Sequence, residues 1–239
     1  MATISPLKAQ ERTRARRPRQ AEQQAEQQAV EFLENQYYQV LRHVEIKQRG
    51  DNFPTFQYDY PGRHILYRHV NDHVLRNRPI DYLEFGVFQG DSMRQWTSIN
   101  TREESRFFGF DSFEGLPTDW EDGGRKKGDF TVHGNIPDIK DPRVSFHKGW
   151  FNQTLLPFLD TFTPRNQLVL HLDADLYSST LYVLMHVHRI LKNGTVLVFD
   201  DFGPRDDFAA LHHYAKAMSR NWTILAARQD FIKLAAVLH

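Results

Sequence analysis

Four aspartates held in two short segments carry the most evident chemistry in this chain. His171-Leu-Asp173-Ala-Asp175 closes one apolar run and Phe199-Asp200-Asp201 closes another, the paired acids standing 27 and 28 residues after Asp173. Adjacent parallel strands lie about 4.8 Å apart, and open α/β sheets collect ligands at their carboxyl ends, so the two segments can meet. Four carboxylates crowded there repel, which either raises their pKa values or calls for a cation. With no cysteine in 239 residues, any metal must be held by oxygen or imidazole. An all-carboxylate set favours Mg²⁺, with Mn²⁺ or Ca²⁺ as alternatives. Asp175 has a second reading, as the cap of a helix that starts near Ser178.

A second constellation lies nearer the N-terminus. Asp81-Tyr-Leu-Glu84-Phe-Gly86-Val-Phe88-Gln-Gly90 ends a strand and opens a helix at Asp91-Ser92. Two glycines four apart at such a turn let the backbone bend sharply and approach a bound group. A dinucleotide-binding turn would carry a glycine where Phe88 stands, so room for a pyrophosphate is reduced. Asp111 ends the next strand, followed by Ser112, and can accept the two hydroxyls of a ribose or cap the turn that follows. Taken with Glu84, Gly86 and Gly90, it reads as part of a nucleoside site.

These residues need a scaffold that brings strand ends together. Apolar strand candidates are 80–85, 106–111, 143–147, 167–173 and 195–200, with helical stretches at 91–100, 178–192 and 206–220. That alternation gives a parallel sheet with helices on both faces. Residues 222–227 and 231–238 are separated by a hairpin-length Arg228-Gln229-Asp230 and should be antiparallel. Upstream, 21–48 reads as a helix that buries Val30, Leu33, Tyr37, Val40, Leu41 and Val44 on one face. Residues 50–62 read as an aromatic loop and 63–78 as a short amphipathic helix. The Glu114–Asp141 stretch, with five glycines and two prolines, is either a functional lid or a tolerated insertion.

Four ordered motifs resemble the macrocin O-methyltransferase family across about residues 80–205. They are Leu-Glu84-Phe-Gly86-Val-x-x-Gly90, Gly-Phe-Asp111-Ser-Phe-Glu-Gly-Leu-Pro117, Leu-Asp173-Ala-Asp175-Leu-Tyr-Ser-Ser-Thr180 and Val-Phe-Asp200-Asp201-Phe. The resemblance implies a Rossmann-like class I methyltransferase fold with a seven-stranded, mostly parallel sheet and a C-terminal antiparallel hairpin. It implies an S-adenosylmethionine-dependent, Mg²⁺-dependent enzyme that methylates hydroxyls of sugars or other natural products. Gly86 and Gly90 would flank the methionine part of the cofactor, Glu84 would orient that turn, and Asp111 would hold the ribose. Ser92 and Ser112 would join this cofactor set, with Gly149 and Trp150 near the adenine; Trp150 has a second reading as a core aromatic. Asp173, Asp200 and Asp201 would be the metal ligands. A divalent cation lowers the pKa of a bound alcohol and fixes it in line with the sulfonium methyl, but a base must still take the proton. Asp173 is the first candidate for that base and His171, on the same strand face, the second.

Composition bounds the rest. Forty per cent apolar residues and 30 basic against 30 acidic side chains give one domain rather than two. That domain is expected over about 30–239, with a helical cap over 30–78. Residues 1–29 sum to +3, leaving −3 for the remainder, and the Arg12–Arg19 stretch reads as a poorly ordered tail rather than a nucleic-acid arm. No apolar run reaches the roughly 20 residues of a membrane span, so a cytoplasmic protein without membrane or nucleic-acid partners is expected. The resemblance implies a small hydroxylated acceptor as partner and a homo-oligomer. His212 and His213 could lean over the site from the helix after the fifth strand but read as solvated, as do His186 and His188. An NAD-type oxidoreductase and a non-catalytic nucleoside binder of the same fold are the alternatives.

Overall fold

The computed structural model describes residues 6–50 and 52–239. Its strands are β1 (Thr55–Phe56), β2 (Ile80–Phe85), β3 (Arg106–Asp111), β4 (Val144–Lys148), β5 (Gln167–Leu172), β6 (Val196–Phe199), β7 (Trp222–Arg228) and β8 (Leu234–Leu238). Its α-helices are α1 (Pro6–Gln48), α2 (His64–His69), α3 (Asp91–Ile99), α4 (Phe151–Thr161), α5 (Tyr177–Val187) and α6 (Ala209–Ala217). The strands form one sheet in the order β1-β7-β8-β6-β5-β2-β3-β4. Strands β4, β3, β2, β5 and β6 run parallel, and β8 inserts antiparallel between β6 and β7.

The expected α/β fold and terminal hairpin are present, with eight strands where seven are expected. The eighth is β1, paired parallel with β7 inside the stretch that reads as a loop. Two residues are too few to display a strand's period. The sequence also gives no signal for α4, an 11-residue helix carrying Pro157 in its interior.

Every side chain of β2 is buried, and alternate residues enter opposite layers. Leu83 and Phe85 join Leu170, Leu172, Leu197 and Phe199 under α4, α5 and α6. Ile80 and Tyr82 join Val169, Val196 and Val198 under α2 and α3. The chain leaves β2 toward β3 on one side and is joined by β5 on the other. This is a topological switch point, where such sheets open a crevice at their carboxyl ends.

Helix α1 departs from expectation twice. It includes the Arg12–Arg19 stretch in one continuous helix, where a poorly ordered tail is expected; residues 1–5 of that tail lie outside the described residues. Of its expected apolar stripe only Leu41 packs on the core: Val30, Leu33, Tyr37 and Val40 are each more than half exposed, and Val44 is 40% exposed. Docking instead uses the neighbouring face near the helix's C-terminal end. Ile46 is buried, Tyr38 and Leu41 pack on the core, and Arg49 lies over the Trp222 ring at 3.6 Å and donates to the Trp222 carbonyl. Among the described residues no helix is long and apolar enough to cross a membrane.

Candidate active site

A cavity of about 780 Å³ lies at the carboxyl ends of β2, β3, β5 and β6. It is lined by Gly86, Asp111, Ser112 and Trp150 from the cofactor set and by all four strand-end aspartates. Gly86 fixes the geometry. Its φ is +94°, and a Cβ on it would lie 1.8 Å from the Asp173 carbonyl oxygen, so the glycine turn and the acidic strand end touch backbone to backbone. Gly86→Ala combines that clash with left-handed strain. It is expected to lower stability by about 3 kcal/mol or more, read as a lower urea midpoint at unchanged m.

Asp111 holds the same turn from the other side. Its Oδ2 accepts the Val87 and Phe88 N–H groups at 2.7 and 2.8 Å, and its Oδ1 accepts Phe113 N–H at 2.6 Å. The capping contact is thus present, and one of roughly four lone-pair positions remains for a ribose hydroxyl. Phe88, itself at φ +52°, packs edge-on against Phe130 of the 114–141 loop, which brings that loop down onto the turn.

Glu84, Gly90, Ser92 and Gly149 support the cavity without lining it. Glu84 is fully buried; Ser92 donates to one of its oxygens and the Tyr82 hydroxyl lies 3.0 Å from the other. Burial pushes the Glu84 carboxyl up to about 8, against the pull of those two hydrogen bonds. Gly149 donates to the Asp111 carbonyl at 2.9 Å and delivers Trp150, 37% exposed, to the cavity wall rather than the core.

The four aspartates divide into one and three. Asp200 is enclosed: Lys233 Nζ and Arg63 Nη1 donate to Oδ2 at 2.5 and 3.3 Å, and the Tyr67 hydroxyl donates to Oδ1 at 3.0 Å. Burial alone would raise its pKa, but His171 alongside and the Lys233 and Arg63 charges hold it well below the usual carboxylate range. Asp173, Asp175 and Asp201 behave in the opposite way. One oxygen of each lies within 4.8 Å of the others, all three reach the cavity, and burial plus repulsion from neighbouring aspartates, Asp200 included, raises all three, Asp175 to about 8. Asp175, at φ +60°, places an oxygen in this group, and α5 starts after Leu176 with no side-chain cap. Two donor sets lie at ligand spacing, Asp173 with Asp175 and Asp201, and Asp173 with Asp200 and His171. The first is all carboxylate and suits a hard divalent cation, whereas in the second Asp200, expected as a ligand, already accepts from Lys233 and Arg63, and Arg63 also lies 3.8 Å from Asp173.

His171 is corrected as a base. It is fully buried and faces the α2–α3 layer, where its Nδ1 lies 2.5 Å from the Tyr82 hydroxyl and its Nε2 3.4 Å from that of Tyr67. It does not reach the cavity, and burial lowers its pKa, keeping it neutral. Arg63, Tyr67, Tyr82 and Lys233 are the site-supporting residues that motif reading misses. Lys233 had one usable signal, as the lone cation in the apolar 231–238 stretch.

Raised carboxyls have a pH consequence. Glu84 and Asp175, pushed to about 8 when folded, still hold protons above pH 5 that the unfolded chain has released. Stability should therefore fall as pH rises from about 5 to 8. A cation displaces protons from Asp175, so Mg²⁺ should raise the melting temperature more at pH 8 than at pH 6, which thermal melts at both pH values would check.

Comparison with known proteins gives a consistent relationship. The family model for macrocin O-methyltransferase (TylF) matches residues 3–222. The mycinamicin III 3''-O-methyltransferase of Micromonospora griseorubida is 26% identical over 197 residues, covering 71% of this chain and 75% of that one. The demethyldecarbamoylnovobiocin O-methyltransferase of Streptomyces niveus is 30% identical over 153 residues, 56% of each chain. The solved structure of the O-methyltransferase NovP superposes with a TM-score of 0.54 at 24% identity, covering 72% of this chain and 78% of that one.

Proposed function

The chain belongs to the macrocin O-methyltransferase family, and from that premise we propose that it transfers the methyl group of S-adenosylmethionine to a hydroxyl of a sugar or other polyhydroxylated natural product, assisted by Mg²⁺. The observation that carries this reading is the backbone contact of Gly86 with Asp173, which sets a nucleoside-type turn and three clustered carboxylates in one cavity. Two relatives named for O-methylation of mycinamicin III and of demethyldecarbamoylnovobiocin support the acceptor class.

Residues 30–239 form the catalytic domain in this reading. Gly86 admits the cofactor's methionine part to the turn, Asp111 and Ser112 face its ribose, and Trp150 offers a flat surface to its adenine. Asp173, Asp175 and Asp201 would hold the cation, whose charge lowers the pKa of an acceptor hydroxyl. Asp173, in contact with the glycine turn and open to the cavity, takes the hydroxyl proton. Trp120, Arg125 and Phe130 of the 114–141 loop contribute to the cavity wall and limit the access of water.

The test is transfer of labelled methyl from S-adenosylmethionine to a panel of glycosides and polyols. Transfer with Mg²⁺ that drops at least about 10²-fold in excess chelator is the expected result. Undiminished transfer in chelator would remove the metal from this reading. Calorimetry showing binding of NAD and none of S-adenosylhomocysteine would remove the methyl donor.

A further inference from the structure

The 114–141 loop folds back on itself as a small hairpin. The Gly128 N–H donates to the Leu116 carbonyl and the Leu116 N–H to that of Asp129, each at 2.9 Å, and further out Trp120 and Arg125 exchange both backbone hydrogen bonds at 2.9 Å. Residues paired in this way project their side chains to the same side. That side is set by Trp120, whose indole N–H donates to Asp206 at 2.9 Å and whose ring lines the large cavity. The Asp122 carboxylate on Arg205 ties the hairpin tip to the same segment. Arg125 is thereby held toward the cavity, where it joins the lining with its guanidinium 5.2 Å from the centre of the Phe130 ring.

Arg125 is the one cation among the cavity's lining residues, against five aspartates: Asp111 and the four at the strand ends. It is also uncommitted. Among the described residues no carboxylate lies within salt-bridge distance of it, whereas Lys126 pairs with Asp119 at 2.8 Å, and Arg63 and Lys233 are taken up by Asp200. S-adenosylmethionine brings an ammonium and a sulfonium, which an acidic cavity attracts, together with a carboxylate, which it repels. That carboxylate needs a partner at the methionine end. Phe130 packs on Phe88 of the glycine turn at 5.8 Å, so Arg125, against the same Phe130 ring, stands at that end. The start of α3 is the other feature there that attracts an anion, but Asp91 occupies its first turn and the Ser92 hydroxyl is given to Glu84.

We propose that Arg125 binds the carboxylate of the cofactor, as a clamp carried on the tied-down hairpin and separate from the strand ends that hold the nucleoside. The inference rests on the methyl-transfer reading for the identity of the ligand. A guanidinium can take both carboxylate oxygens side by side, which a lysine in its place could not. Bound cofactor then fastens the hairpin a third time, beside the Trp120 and Asp122 contacts.

The test is calorimetry on the full-length protein with two probes: S-adenosylhomocysteine, and its decarboxylated counterpart in which hydrogen replaces the carboxylate. Wild type is expected to bind the decarboxylated probe about 10-fold more weakly. Arg125→Gln should weaken S-adenosylhomocysteine by about 10-fold and the decarboxylated probe by less than about twofold, so that the preference disappears. Arg125→Lys keeps the charge without the fork and should return S-adenosylhomocysteine to within about threefold of wild type. The Arg125 side chain is exposed, so the fold should be kept, and retained affinity for the decarboxylated probe would verify it. Equal weakening of both probes by Arg125→Gln would make Arg125 a wall of the cavity only, and unchanged affinity for both would leave it for an anionic group on the acceptor; either result overturns the proposal. Failure of wild type to bind either probe would instead strike the methyl-donor reading itself, and the proposal with it.

Discussion

Asp173→Asn is expected to lower kcat for methyl transfer by at least about 10³-fold while leaving S-adenosylhomocysteine affinity within a few-fold of wild type. Two losses combine at this position. An amide cannot take the hydroxyl proton, a role worth about 10²–10⁴ in rate, and it removes one charge from the group that would bind the cation. The substitution is otherwise quiet. The contact that shapes the glycine turn uses the Asp173 backbone, its carbonyl facing Gly86 and its N–H donating to Phe85, and asparagine keeps both. Single-turnover rates with labelled cofactor, together with Mn²⁺ binding followed by electron paramagnetic resonance, separate the two losses. A wild-type rate with weakened Mn²⁺ binding would move the base to Asp175 or Asp201.

The parts of this site legible in sequence are those whose signal is local. A parallel strand buried on both faces announces its end by the first acid after an apolar run, which is why Asp111, Asp173 and Asp200 could be placed at one edge of the sheet without coordinates; Glu84 is placed by the glycine turn that follows it. What defeats the reading is which way a side chain turns once regular structure stops. His171 and Asp173 share a strand face only if the strand continues; β5 ends at Leu172, so His171 stays under α2 while Asp173 turns into the cavity. Pairing across long separations is equally invisible. Arg63 and Lys233 reach Asp200 from 137 and 33 residues away, and nothing near Asp200 shows that its charge is already answered. The α1 stripe errs in the same way: spacing shows that an apolar face exists, whereas burial depends on where the helix docks.

Lys233→Met should change two properties in opposite directions. Removing one partner of a buried ion pair leaves an uncompensated charge and typically costs about 3–5 kcal/mol. Arg63, 3.3 Å from the same Asp200 oxygen, still pairs with it, which places the expected loss near the lower end, about 3 kcal/mol by urea denaturation in the absence of metal. The second effect follows from what Lys233 does for the neighbouring acids. Its charge lowers the pKa of Asp173 and Asp201 as well as that of Asp200, so it offsets repulsion that a cation would otherwise relieve. Without it, Asp200 becomes available as a fourth carboxylate beside the other three, and Mn²⁺ affinity should rise by about 10-fold even as the metal-free protein weakens. Saturating Mg²⁺ should then restore more melting temperature to the variant than it adds to wild type. A variant that loses stability with no gain in cation affinity would mean that Asp200 stays with Arg63 and belongs to the framework alone.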